Sequence, residues 1–273
     1  MILPPQETKI AYADLLDVAA IPYQKNEVVA PPLEARAINV LDLKTGTQLY
    51  SKNADEKKSI GSITKLITAL IILEENDLTE TVTISTRAAA AEGSTMWLRQ
   101  GEKITVENLL YSMLIHSAND ATYGLAEHNA GSIEKFVDKM NKKAQFMELK
   151  NTKFSNPAGF DDANNYSNAN DIGTLSRIAY KKPFIRRVAS IKNMEVRSIN
   201  NTVHKLESTN NLLGLDPRVK GLKTGHTREA GFSFVSVATS ERGNDIITVI
   251  LDSPARFTET QKLIDWVFAN FVW

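Results

Sequence analysis

Gly61-Ser62-Ile63-Thr64-Lys65 runs directly into Leu66-Ile67-Thr68-Ala69-Leu70-Ile71-Ile72-Leu73. The run after Lys65 is apolar on nearly every face, which predicts a helix through the middle of a core rather than on a surface. Ser62 and Lys65 stand three residues apart, so a helical backbone stacks them one turn apart with their side chains in reach. A serine hydroxyl becomes a nucleophile at neutral pH only when a nearby base takes its proton, and a lysine serves as that base only with a lowered pKa. Burial lowers it, because the ammonium loses hydration and the neutral amine gains by comparison. The stretch therefore predicts a buried helix with a nucleophile and its base at the start.

Ser-x-x-Lys is a common pattern and recurs at Ser132-Ile133-Glu134-Lys135, where Asn129, Asp138 and Lys139 mark a solvated helix face. What distinguishes the first copy is its company: Ser117-Ala118-Asn119 follows, and then Lys223-Thr224-Gly225, a set and order that match a known acyl-transfer chemistry. Lys-Thr-Gly also occurs twice. Lys44-Thr45-Gly46 reads as a turn between strands at 35–43 and 47–51, where Gly46 supplies the positive φ of a hairpin turn. Ser-x-Asn matches at Ser51, Ser198 and Ser208 lie in polar stretches, whereas Ser117 sits between two apolar helical segments.

At 273 residues the chain is long enough to bury a sizeable core. Lys plus Arg and Asp plus Glu are both 32, and no basic run points to nucleic acid or an anionic membrane. Cysteine is absent, which removes disulfides, thiol catalysis and Cys-rich metal sites. The four histidines, His116, His128, His204 and His226, form no His-Glu-x-x-His pattern. The Asn/Asp-rich stretch 156–162 lacks the spacing of a calcium-binding loop and reads as a turn cluster. No metal or other cofactor is expected. Met1-Ile2-Leu3-Pro4-Pro5-Gln6 does not read as a secretion leader, and no run reaches the roughly 18–20 apolar residues of a membrane span.

In chain order, residues 1–33 hold five of the nine prolines and read as an extended arm with a short helix near 12–18, and 34–273 reads as one catalytic domain. Helices are expected from Ser62 onward, at 86–92, 106–114, 121–128, 133–147 and 171–180, which makes 62–180 a mainly helical subdomain. Ser117 and Asn119 fall on a loop between two of these helices. Short strands follow at 196–199 and 202–206, then strands at 231–239 and 246–252 and a final helix at 258–271. Lys223-Thr224-Gly225 continues Val219-Lys220-Gly221-Leu222 and reads as part of an edge strand. A peptide can add to such an edge as a further strand, with Lys223 and Thr224 offering a cation and a hydroxyl to its terminal carboxylate.

Four stretches together resemble the serine D-alanyl-D-alanine carboxypeptidases, the low-molecular-mass penicillin-binding proteins. They are Gly61-Ser62-Ile63-Thr64-Lys65-Leu66-Ile67-Thr68, Met113-Leu114-Ile115-His116-Ser117-Ala118-Asn119-Asp120-Ala121, Asn156-Pro157-Ala158-Gly159-Phe160-Asp161 and Gly221-Leu222-Lys223-Thr224-Gly225-His226-Thr227. The resemblance covers about residue 35 to the end. It implies an α+β fold of the β-lactamase/transpeptidase type: an antiparallel sheet flanked by helices, with a mainly helical subdomain inserted between strands. It implies Ser62 as the acylated nucleophile, Lys65 as its base, Ser117 as the proton relay to the leaving amine, and Asn119 as the holder of the substrate amide. Lys223 and Thr224 would bind the substrate's terminal carboxylate with help from Arg256, Gly225 would leave space for the backbone to approach, and the backbone N–H groups of Ser62 and His226 would form the oxyanion hole. The implied substrate is a peptidoglycan stem peptide, the implied inhibitors are β-lactams, and the implied location is outside the cytoplasm. The C-terminal β-rich domain and anchoring helix of many members have no counterpart in this sequence.

Three other readings compete. D-alanyl endopeptidase cleavage uses the same residues. A class A β-lactamase shares the motifs but needs a loop Glu-x-x-x-Asn, and the match at Glu207–Asn211 lies too close before the Lys223 strand. A non-catalytic wall-peptide binding module would have no use for the Ser62–Lys65 pair.

Overall fold

The computed structural model describes residues 20–25 and 28–273, so the short helix expected at 12–18 lies outside the described residues. In chain order the elements are β1 (Tyr23–Gln24), β2 (Ala37–Asp42), β3 (Gln48–Lys52), α1 (Lys65–Glu75), β4 (Thr81–Thr83) and α2 (Thr86–Ala89). There follow β5 (Lys103–Thr105), α3 (Val106–Ile115), α4 (Asn119–Ala130), α5 (Ile133–Phe146), α6 (Ala169–Lys181) and α7 (Pro183–Ala189). The chain then runs through β6 (Asn193–Arg197), β7 (Val203–Glu207), β8 (Val219–Thr227), β9 (Gly231–Thr239), β10 (Asp245–Leu251), α8 (Arg256–Asn270) and β11 (Phe271–Val272).

Five strands from the two ends of the chain make one antiparallel sheet in the order β3-β2-β10-β9-β8. Alternation divides β10 between two cores. Ile246 and Ile250 face Leu263, Ile264 and Val267 of α8, and Ile247, Val249 and Leu251 face the helices inserted after β3. With both faces covered, β2 is buried along its whole length, the polar Asn39 and Asp42 included. α1 is buried from Lys65 to Ile72, as its apolar faces predict. This mixed architecture is the fold class implied by the resemblance.

The Lys44-Thr45-Gly46 turn connects β2 to β3, with Gly46 at φ +80°. Lys223-Thr224-Gly225 lies within β8, at the sheet edge.

Some local expectations need correction. The helix expected at 86–92 is the single turn α2, ending before Gly93. Asn119 is the first residue of α4 rather than a loop residue, and only His116, Ser117 and Ala118 separate α4 from the end of α3 at Ile115. Helix α7, which starts on Pro183, and the β4–β5 pair have no sequence expectation behind them; each is short enough that its periodicity is not resolved. Within the expected arm, Tyr23–Gln24 pairs antiparallel with Phe271–Val272, so the start and end of the described chain close on each other.

Candidate active site

Ser62 lies in a 3₁₀ turn, Gly61–Thr64, that leads into α1, and it is the one residue of that turn with appreciable exposure. In a 3₁₀ helix residues i and i+3 eclipse, so Lys65 Nζ reaches Ser62 Oγ at 2.7 Å. Two further acceptors converge on the amine: Asn119 Oδ1 at 2.7 Å and the Ala158 carbonyl at 3.0 Å. The orientation of the Asn119 amide follows from its other end, where Nδ2 donates to the Glu92 carbonyl at 2.6 Å.

Hydrogen-bond bookkeeping shows how a neutral amine would sit here. A neutral lysine has two N–H groups and one lone pair. The ammonium donates to all three oxygens; once the amine is neutral, the Asn119 and Ala158 oxygens, which can only accept, take both N–H groups and leave the lone pair to the Ser62 hydroxyl. Lys65 has no exposed surface. Its pKa is held well below the usual lysine value by burial first and by the nearby Lys223 charge second, opposed by Asp120.

The second cation stands across the site. Lys223 Nζ donates to Ser117 Oγ at 2.9 Å and to its neighbour's carbonyl, Thr224 O, at 3.1 Å. Burial, reinforced by the Arg256 guanidinium, lowers its pKa to about 7. Ser117 is held in the left-handed region, φ +62°, between α3 and α4. Because its oxygen accepts from Lys223, its hydrogen is available to another acceptor. Arg256 opens α8, half-buried, and donates to the Gly225 carbonyl at 2.8 Å and the Ser233 carbonyl at 3.2 Å. His226 stacks on Phe232 with ring centroids 4.1 Å apart, and Arg256 lies over the same Phe232 ring.

The Asn156–Asp161 loop carries more than its reading as a turn cluster suggests. The Asn156 side chain does make the expected turn, accepting from the N–H groups of Gly159 and Phe160. That turn aims Ala158 O at Lys65 and Pro157 O at Thr68. It also lays Gly159 against the Ser62 turn, where a Cβ would sit 1.9 Å from the Gly61 carbonyl oxygen. Asp161 accepts from Ser59, Thr227 and the Glu229 N–H, tying the approach to Ser62 to the β8–β9 hairpin.

Two further residues escaped the sequence reading. Thr209 Oγ1 lies 2.5 Å from Thr224 Oγ1. Buried Asp120 accepts from the N–H groups of Met96 and Leu98, which anchors the loop over Asn119. Asp120 was legible only as a charged residue inside an apolar stretch. Glu207, the carboxylate of the Glu-x-x-x-Asn match, ends β7 exposed.

The structure thus brings Ser62, Lys65 and Asn119 into one network and Ser117 with Lys223 into another, with Thr224, Gly225, His226 and Arg256 along the β8 edge. A hydroxyl 2.7 Å from a buried amine of lowered pKa is suited to nucleophilic attack, and the adjacent cations are suited to a carboxylate.

Residues 24–255 match the family described as D-alanyl-D-alanine carboxypeptidase. The chain is 34% identical over 247 residues to the D-alanyl-D-alanine carboxypeptidase DacF of Bacillus subtilis, and 34% identical over 257 residues to DacA of Haemophilus influenzae. These alignments take in 87% and 89% of this chain but 63% and 64% of the relatives' length. The crystal structure of a Streptomyces DD-transpeptidase, 31% identical, superposes with a TM-score of 0.84 over 89% of this chain and 100% of that one.

Proposed function

The chain belongs to the D-alanyl-D-alanine carboxypeptidase family, and from that premise we propose that it removes the terminal D-alanine from peptidoglycan stem peptides through an acyl-enzyme on Ser62. The observation that carries this reading is the buried Lys65 amine, held by Asn119 Oδ1 and the Ala158 carbonyl 2.7 Å from Ser62 Oγ, so that its neutral form turns a lone pair to the hydroxyl.

In this reading the peptide lies extended along the β8 edge, its terminal carboxylate near Lys223, Thr224 and Arg256. Lys65 takes the Ser62 proton as Oγ attacks the carbonyl carbon of the penultimate D-alanine. The oxyanion is met by the N–H groups of Ser62 and His226, each worth about 3 kcal/mol by the usual effect of deleting one such donor. Ser62 stands near the start of its 3₁₀ turn, where helix N–H groups lack intrahelical partners, which suits the first of these donors. Ser117 relays that proton from Lys65 to the leaving nitrogen, which leaves the amine neutral again, the C–N bond breaks, and D-alanine departs. Water then attacks the ester with Lys65 as base, releasing the shortened peptide and restoring Ser62. A positioned base of this kind contributes typically 10²–10⁴-fold.

A β-lactam mimics the D-Ala-D-Ala end and is expected to acylate the same serine. The substrate places the reaction outside the cytoplasm. We read residues 34–273 as the catalytic unit and 1–33 as its arm. Among the described residues no helix is long and apolar enough to cross a membrane.

The test is intact-protein mass spectrometry over time with benzylpenicillin, peptide mapping of the adduct, and D-alanine release from a synthetic stem peptide. One lasting penicillin on Ser62 together with D-alanine release is the expected result. Rapid penicillin turnover without an adduct would favour a β-lactamase, and neither adduct nor turnover a binding module. The solved relative is named a DD-transpeptidase, so an added amine acceptor tests whether the acyl group is also transferred.

A further inference from the structure

Trp97 is 83% exposed, and its backbone is left-handed at φ +64°. Both features are unfavourable: a large indole face stays in water, and a bulky side chain in this region costs about 1–2 kcal/mol. Residues in such conformations persist where surrounding contacts impose them, and they gather at functional sites. Here the imposing contacts are visible. Met96 and Leu98, on either side, are buried, and their N–H groups are held by the Asp120 carboxylate at 3.0–3.2 Å. The Met96 carbonyl accepts Nδ1–H of buried His204 at 2.9 Å, and His204 is braced in turn by Glu102 at 2.6 Å. The loop cannot fold the indole inward without breaking these bonds.

The anchors belong to the site. Asp120 follows Asn119, and Asn119 itself donates from its backbone N to Ser94 O at 2.6 Å and from Nδ2 to Glu92 O at 2.6 Å. Trp97 is therefore presented at a fixed place relative to the residue that orients Lys65. Resting on the carboxypeptidase reading, the geometry points to a specificity role. In that reading Asn119 holds the substrate amide, so the acyl portion of a peptide whose carboxylate is at Lys223 runs past Asn119, the residue to which this loop is bonded.

We propose that Trp97 packs against the side chain of the residue preceding D-Ala-D-Ala and selects a long aliphatic chain ending in an amine. The indole face offers apolar contact to the methylenes and a cation–π contact to the ammonium.

The experiment pairs a change in the enzyme with a change in the substrate. D-Alanine release is measured from acetyl-Lys-D-Ala-D-Ala and acetyl-Ala-D-Ala-D-Ala with the full chain, Trp97→Ala and Trp97→Tyr, with the melting temperature of each as a check of folding. The wild-type chain is expected to favour the lysine peptide at least fivefold in kcat/KM. Trp97→Ala is expected to reduce that preference below twofold, mainly through KM on the lysine peptide, and Trp97→Tyr to retain it. An undiminished preference in Trp97→Ala, or no preference in the wild type, overturns the inference and leaves the carboxypeptidase reading standing. Release from neither peptide by the wild type overturns both.

Discussion

The turn before α1 and the first turn of α5 carry the same Ser-x-x-Lys spacing and come to opposite ends. At α5 the Ser132 hydroxyl accepts from the Lys135 N–H at 3.2 Å, so the serine caps its own helix while the Lys135 side chain lies in solvent. The Ser62 turn makes no side-chain cap, and the hydroxyl is left for Lys65 Nζ. The two Lys-Thr-Gly triplets differ in the same way. Thr45 spends its hydroxyl on Asp42 Oδ2 at 2.7 Å inside a turn, whereas Thr224 stands on an edge strand beside a buried lysine. Identical residues come to different ends because the backbone of the Ser62 turn leaves the hydroxyl uncapped and packing strips water from the lysine amines.

The sharpest way to break that comparison is at the serines. Ser62→Ala is expected to abolish the benzylpenicillin adduct and to cut D-alanine release by on the order of 10⁴-fold or more. Ser132→Ala is expected to leave both intact and to cost about 1 kcal/mol in urea unfolding, the usual value of a lost cap. A penicillin adduct on the Ser62→Ala chain would refute the assignment of the nucleophile.

The lysines come next. Lys65→Met should slow acylation by roughly 10²–10⁴-fold, and Lys135→Met should leave the acylation rate within experimental error of wild type. Rates followed by mass spectrometry decide the point; equal effects of the two substitutions would mean that burial does not separate the copies.

Glycines sharpen the structural side. Gly159→Ala forces a methyl onto the Gly61 backbone and is expected to cost more than about 3 kcal/mol, with loss of acylation. Gly131, which ends α4 at φ +77° with nothing near its would-be Cβ, should show only the left-handed penalty of about 1–2 kcal/mol on conversion to alanine. Chemical denaturation of the two variants measures the difference.

The smallest effect concerns pH. Lys223, with its pKa lowered to about 7, is an ammonium below that pH and increasingly a neutral amine above it. Its attraction for a substrate carboxylate therefore weakens as pH rises through 7. KM for a D-Ala-D-Ala peptide is expected to rise severalfold between pH 7 and 9, and a bound carboxylate, which favours the ammonium, shifts the change to higher pH. A KM that stays flat over that range would remove Lys223 from carboxylate binding.

Much of this molecule was legible because its signals are local. An apolar run such as Leu66 to Leu73 buries itself whatever its neighbours are, and the alternation of β9 and β10 requires two covered faces. Gly46 marked its turn through its own φ. The elements that escaped, α7 and the β4–β5 pair, are stabilised mainly by contacts with the rest of the fold, as short segments generally are.

By itself, the sequence determined the buried helix, the candidate nucleophile and amine at its start, and the order of the motifs, since each depends on residues adjacent in the chain. The company of each motif already favoured one copy, and the surroundings of that copy were decided by tertiary structure. The Lys65 amine is held by oxygens 54 and 93 residues away, on Asn119 and Ala158, and Ser117 meets Lys223 across 106 residues. The same holds for the parts no motif announced: Thr209 beside Thr224, Asp120 under the Met96–Leu98 backbone, and Trp97 held outward above them. Such contacts depend on how distant segments pack, and the desolvation that lowers a lysine pKa is a property of the closed core.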